Sequence, residues 1–135
     1  MKRILVFGTF DQLHPGHDYF LHEAKKLGDR LIICLARNAT VMELKGHQPR
    51  HDELARREAL AESDSVDEVI YGDRELGTYQ IITDVKPDII ALGYDQQALK
   101  DDLTDFLKKK NINLPLVTIN SFEPERYKSS ILRST

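Results

Sequence analysis

Hydrophobic positions along the chain fall into two alternating kinds of segment. Five are short and almost continuously apolar: residues 4–7, 31–36, 66–71 (interrupted by Asp67 and Glu68), 89–92 and Leu116–Ile119. Each has the length of a strand and is rich in Ile, Val and Leu. Several are apolar at successive positions, as a strand covered on both faces requires. The segments between them carry apolar residues at helical spacing. Tyr19, Phe20, Ala24 and Leu27 recur in this way, and Gly28 then supplies a stop. Leu54 to Leu60 repeats the pattern, with Glu53 and Arg57 spaced for an i,i+4 ion pair. Gln80–Val85 is a short helical stretch ending before Lys86-Pro87, and Gln97 to Lys109 is a longer one with Leu99, Leu103, Phe106 and Leu107 on one face. Residues 129–133 open a last helix. Strands alternating with helices predict an α/β fold, a doubly wound five-stranded parallel sheet. In such sheets ligands bind beyond the carboxyl ends of the strands, near the point where strand order reverses. Residues 8–17, 37–46 and 93–96 follow strands directly and are the places to look.

Composition narrows the picture further. A chain of 135 residues, 41% hydrophobic and 30% charged, suits one domain over residues 1–135 with one core. The net charge of −3 argues against nonspecific binding to nucleic acid or an anionic membrane surface. The only run of cations, residues 108–110, ends a helix, where positive charge complements the dipole. No apolar run approaches the roughly 18–20 residues of a membrane span, and the run in MKRILVF stops at Gly8, too short for a secretory leader. The single cysteine, Cys34, excludes an intrachain disulfide and a cysteine-cluster zinc site, which makes the cytoplasm the default compartment.

The first strand-to-helix turn, GTFDQLHPGH, carries the most chemistry. Gly8 ends the strand and permits close approach to a ligand. Pro15 presets a helical φ and lacks the N–H that a first turn leaves unpaired, so it marks a helix start. His14 and His17 are three apart and project to one side of that turn, while Gly16 between them leaves room for a bulky group. A helix N-terminus offers free N–H groups and the positive end of a dipole, which suits an anion. Two imidazoles aimed there can donate to phosphate oxygens and stabilise charge in a displacement at phosphorus. The dipole opposes cationic imidazole, so neutral donors are expected in the free protein. Neither an HExxH glutamate nor a third histidine is placed to complete a metal site, and Gly8 does not begin the GxGxxG of a dinucleotide fold.

GTFDQLHPGH resembles the HxGH signature of the cytidylyltransferase-like nucleotidyltransferase superfamily, and the likeness extends through strand order and loop placement over nearly the whole chain. It implies a Rossmann-like (HUP, adenine nucleotide α-hydrolase-like) fold. It also implies transfer of a nucleoside monophosphate from a triphosphate to a phosphate-bearing acceptor, with Mg²⁺ on the triphosphate and no metal held by protein side chains. Catalysis would fall to His14, His17 and Lys45, the lysine lying on a segment (residues 43–50, ELKGHQPR) that reads as a mobile loop. Nucleotide contacts would come from Gly8, Thr9, Phe10, His14, Gly16 and His17. After the fourth strand they would come from Gly93, Tyr94, Asp95 and Gln96, where a polar turn with Asp95 as helix N-cap is the plainer alternative. Near the C-terminus Tyr127, Lys128, Ser129 and Ser130 stand where relatives carry an ISTT-type segment, with Arg126, Lys128 or Arg133 supplying the neighbouring charge. Acceptor contacts would involve Asp11, Arg37, Asn38, Lys45 and Arg57, with Arg56 and Arg57 as phosphate or surface arginines. Similar proteins are often homodimers.

The acceptor is not set by these residues. The first block, the ALGYDQ segment and the YKSS ending look most like the archaeal-type FAD synthase group, which joins AMP from ATP to FMN. Glycerol-3-phosphate cytidylyltransferases, which use CTP, share the first block but typically carry a tryptophan-containing segment after the fourth strand, and this chain has no tryptophan. A noncatalytic nucleotide-binding module would not need both histidines and Lys45.

Overall fold

The structure, a computed structural model, describes residues 1–73 and 78–120. Its elements follow in the order β1 (Arg3–Gly8), α1 (Pro15–Lys25), β2 (Arg30–Leu35), α2 (Asn38–Lys45), α3 (Glu53–Ala61), β3 (Glu68–Tyr71), α4 (Gln80–Val85), β4 (Ile89–Gly93), α5 (Gln97–Lys110) and β5 (Leu116–Ile119). The strands form one parallel sheet in the order β3-β2-β1-β4-β5. This is the doubly wound arrangement expected, with its switch point between β1 and β4. The segments that leave those two strands, residues 9–14 and 94–96, therefore flank a crevice. The expected helix at residues 129–133 lies outside the described residues.

Two cores explain the continuous apolarity of the strands. On one face Ile4, Val6, Leu31, Ile33 and Leu35 pack with Phe10, Leu21 and Ala24 of the α1 side and Leu60 of α3. On the other, Leu5, Ile32, Cys34, Ile90 and Leu92 pack with Ile81 and Ile82 of α4 and Leu103 of α5. Each fully buried Leu or Ile contributes roughly 1.5–3 kcal/mol through removal of apolar area from water. No helix among the described residues is long and apolar enough to cross a membrane.

Several local expectations change. The first three residues of the expected mobile loop, 43–45, belong instead to helix α2, which places Lys45 at its last turn. Its first N–H, that of Asn38, donates to the Glu53 carboxylate at 2.7 Å, and Gly46 ends it in a left-handed conformation at φ 76°. Glu53 is thus engaged by Asn38, and Arg57 lies over the Tyr71 ring at 5.4 Å instead of pairing with Glu53. The third strand begins at Glu68, two residues later than its apolar run. Asp67 accepts from the Leu31 N–H at 2.7 Å and pairs with Lys25, so the interrupting carboxylate joins the start of β2 to α1. Gly28 is not a left-handed stop. A Cβ there would lie 2.7 Å from the Ile4 side chain and 2.8 Å from the Lys2 carbonyl, so its smallness lets the α1–β2 turn lie against β1.

Candidate active site

The site is built on the turn after β1. Phe10 takes a positive φ of 49°, and its ring folds back over Gly8. A Cβ on Gly8 would lie 2.5 Å from that ring, so the space expected to admit a ligand is filled by Phe10. This geometry brings the turn to His14, which caps α1, with Pro15 in its first turn. The His14 Nδ1 accepts from the Gly16 N–H at 3.0 Å. In the neutral ring the proton therefore sits on Nε2, which remains a donor toward the cleft. His17 stacks on His14 with ring centroids 3.9 Å apart and an interplanar angle of 29°, and its other flank meets Phe10 at 5.4 Å. The His17 Nδ1 is buried without a hydrogen-bond partner of good geometry. Burial and, next, the neighbouring His14 lower the pKa of His17 from 6.5, against the Gln12 backbone and the carboxylates of Asp18 and Asp95. The shift runs in the direction expected of a neutral ring in the free protein, with burial as its largest cause.

Around this pair opens a cleft of ≈ 2180 Å³. Sites for single drug-sized ligands run to about 300–1,000 Å³, so the space is larger than one such ligand fills. His14, His17, Thr9, Asp11, Lys45 and Arg50 line it, as do Tyr94, Asp95 and Gln96 from the far side of the switch point. Asp11 accepts from the Arg50 N–H at 2.7 Å and the His51 N–H at 2.8 Å, holding the α2–α3 connection against the β1–α1 turn. Burial pushes its pKa up, but those two N–H groups, His51 and Arg56 outweigh it and hold the carboxyl below 3.8.

Arg56 ties the site together, a role its residue type did not announce. It is 1% exposed. Its guanidinium donates to the carbonyls of His51 at 3.1 Å, Thr9 at 2.8 Å and Ala36 at 2.7 Å, and to Asn38 Oδ1 at 2.8 Å. One side chain thereby joins the segments after β1 and after β2 to the start of α3. The signal lay in spacing: Arg56 precedes the buried Leu60 by four residues, on the core-facing side of the helix.

The remaining expected residues divide. Asn38 serves the Arg56 network, and Arg37 donates to the Gly72 carbonyl at 2.8 Å while lying over Tyr71. Together with Arg57, which meets the other contact on Tyr71, these acceptor-side candidates lie outside the cleft lining. Asp95 does not cap α5; Gln96 holds that position. The Gln96 amide accepts from the Gly93 N–H at 2.8 Å and donates to the Phe7 carbonyl at 2.9 Å, bridging the ends of β4 and β1 across the switch point. Tyr94 is 63% exposed and lines the cleft. Tyr127, Lys128, Ser129 and Ser130 lie outside the described residues. Among the described residues no three His, Cys, Asp or Glu side chains converge to hold a metal ion.

Comparison with known proteins bears directly on this geometry. Residues 5–135 match the Cytidylyltransferase-like family. The chain belongs to that family. It is 41% identical over 133 residues to a protein named FAD synthase from Thermococcus sibiricus, covering 98% of this chain and 87% of the relative. It is 42% identical to another so named from Ferroglobus placidus, covering 91% and 79%. Among solved structures, one described as a lipopolysaccharide core biosynthesis protein from Thermoplasma volcanium matches with a TM-score of 0.83 and 37% identity, covering 91% of this chain and 99% of that one. A pantoate-beta-alanine ligase from Francisella tularensis shares the fold at a TM-score of 0.65 and 15% identity, covering 90% and 60%. Family and relatives make this cytidylyltransferase-like chain a nucleotidyltransferase, and its stacked imidazoles at a helix start suit the work of that class.

Proposed function

We propose that the protein is an FMN adenylyltransferase, which transfers AMP from ATP to FMN and releases pyrophosphate. The observation that carries the phosphate chemistry is the His14–His17 stack at the start of α1, facing a cleft larger than one drug-sized ligand fills. The choice of FMN is supported by about 40% identity to proteins named FAD synthase.

A phosphate oxygen of FMN attacks the α-phosphorus of ATP in line. The new P–O bond forms as the bond to the α,β-bridging oxygen breaks, and pyrophosphate leaves with that electron pair. His14, through Nε2–H, and His17 donate to α- and β-phosphate oxygens at the positive end of α1. Lys45 and Arg50, which line the cleft, draw the two anionic substrates together. No general base is needed, because the attacking phosphate is already anionic. The protein supplies position and electrostatics. Gly93, Tyr94 and Asp95 face the nucleoside, and the Ser129–Ser130 pair completes the hold on the leaving pyrophosphate. Mg²⁺ enters as part of the substrate, MgATP. The working unit in this reading is a single domain, residues 1–135, in a cytoplasmic homodimer that needs neither nucleic acid nor a membrane.

The test is release of pyrophosphate from ATP or CTP, each offered with FMN, glycerol 3-phosphate or phosphopantetheine. ATP with FMN should be the productive pair. His17→Ala should lower turnover by roughly 10²–10³-fold, as loss of one oxyanion donor does, while the fold persists. Preference for CTP with glycerol 3-phosphate would overturn the FMN assignment, and near-normal turnover of the variant would overturn the role of His17.

A further inference from the structure

The phosphate chemistry leaves one end of the cleft unused. Phe7 and Cys34 are register partners at the ends of β1 and β2, and both pack on the α4–α5 face of the sheet, opposite to the face that Phe10 joins. Tyr79 stands beside them with its ring edge-on to Phe7 at 6.2 Å and against Phe106 at 5.1 Å. Its hydroxyl donates to Asp102. Tyr79 holds a φ of 47°, a conformation uncommon for an aromatic residue and maintained here by contacts on three sides. Ala98 and Leu99 on the first turn of α5 line the same end, and the carboxylates of Asp73 and Asp102 lie on its border. Burial, with the charge of Asp73, pushes the Cys34 thiol up to about 12, so it presents neutral sulfur.

Lys45, His47 and Arg50 line the cleft from α2 and the α2–α3 connection, and their cations attract a phosphate. Phe7, Cys34, Tyr79, Ala98 and Leu99 line it with aromatic and aliphatic surface, beside Asp73 and Asp102 and with Arg37 near Cys34. Such a surface suits a flat ring with apolar faces and N–H groups on its edge, which carboxylates can receive. A glycerol, choline or ethanolamine acceptor has no such faces and would leave this surface wet.

We propose that the compartment formed by Phe7, Cys34, Tyr79, Ala98 and Leu99 holds the isoalloxazine ring of the acceptor, with the phosphate directed toward Lys45. The assignment rests on the FMN reading and deepens it by naming the part of the cleft that selects a flavin. Tyr79, held by its bond to Asp102, and Ala98, an exposed residue of α5, both line the compartment.

Flavin fluorescence titration of the full-length protein tests this with two probes, FMN and riboflavin, the second carrying the ring without the phosphate. Ala98→Trp places an indole in the lining from an exposed helix position, so it tests the compartment without disturbing the core. It should weaken both flavins in parallel, by roughly tenfold or more given the area a buried ring contributes. MgATP affinity, read by calorimetry, should stay unchanged. Tyr79→Leu should weaken both flavins as well, whereas Lys45→Ala should weaken FMN and spare riboflavin. If FMN is adenylylated yet neither Ala98→Trp nor Tyr79→Leu alters flavin affinity, the ring lies elsewhere and only this assignment falls. If the wild-type protein binds neither flavin and makes no FAD, the FMN reading falls and the ring site with it.

Discussion

Replacing Arg56 by Met tests whether one buried cation holds the site in shape. The methionine keeps most of the stem and removes the donors that now serve four oxygens, those of Thr9, Ala36, His51 and the Asn38 side chain. A buried acceptor stripped of its donor costs about 1–3 kcal/mol. Carbonyls keep a second lone pair and the loops can admit water, so the low end applies to each. The total is then about 4 kcal/mol, within the roughly 3–5 kcal/mol typical of breaking a buried charged network. A domain with about 5–15 kcal/mol of stability survives that loss, with Tm lowered by roughly 10–20 °C for a chain of this length. Arg56→Lys keeps the charge but reaches one or two of the four oxygens, so about half the loss should remain. Urea denaturation gives the stability change, and pyrophosphate release well below the lowered Tm gives kcat/KM for both substrates. Arg56 touches no substrate in this account, so both KM values should rise as the loops it joins lose alignment. A stability loss below about 1 kcal/mol would refute the reasoning, because four orphaned acceptors cannot cost so little. Lost activity at full stability would instead make Arg56 a substrate contact.

Two other predictions follow from the same turn. The pKa of His17 lies below 6.5 in the free protein, and a bound phosphate favours the charged ring, so it raises that value. Between the two values ATP binding takes up protons. Calorimetry at about pH 6 in buffers of different ionisation enthalpy should show that uptake, diminished in His17→Asn; identical heats after buffer correction, with no uptake, would contradict it. Gly8→Ala sets a Cβ against the Phe10 ring at 2.5 Å and should cost about 1–3 kcal/mol by overpacking. Because Phe10 also abuts His17, turnover should fall with it, and an unchanged denaturation midpoint would show that the ring swings away freely.

The layout of the molecule was legible in the one-dimensional pattern because the inner strands β1, β2 and β4, covered on both faces, are apolar at nearly every position. The β1–α1 turn was legible for a related reason. His14-Pro15-Gly16-His17 is a local device, with Pro15 starting the helix and the histidines one turn apart, so its geometry follows from neighbours in the chain. Helix α2 was not legible, because its start is stabilised by the Glu53 carboxylate, fifteen residues downstream. Glu53 also shows why the local i,i+4 pairing with Arg57 did not form: the part-buried first N–H of α2 outcompetes an exposed cation.

What only the tertiary structure decided is which polar groups face the cleft and which hold it together. Arg56 and Arg57 are adjacent and identical in type, yet one is enclosed by four oxygens and the other lies on the surface of Tyr71. Gln96 and Asn38, which suit a ligand by residue type, spend their amides on the protein itself. The Phe7, Cys34 and Tyr79 compartment exists because parallel pairing brings residues 27 and 72 positions apart to one end of one face. A hydrogen bond or a ring contact depends on distance in space, and for such pairs the chain between them carries no trace of it.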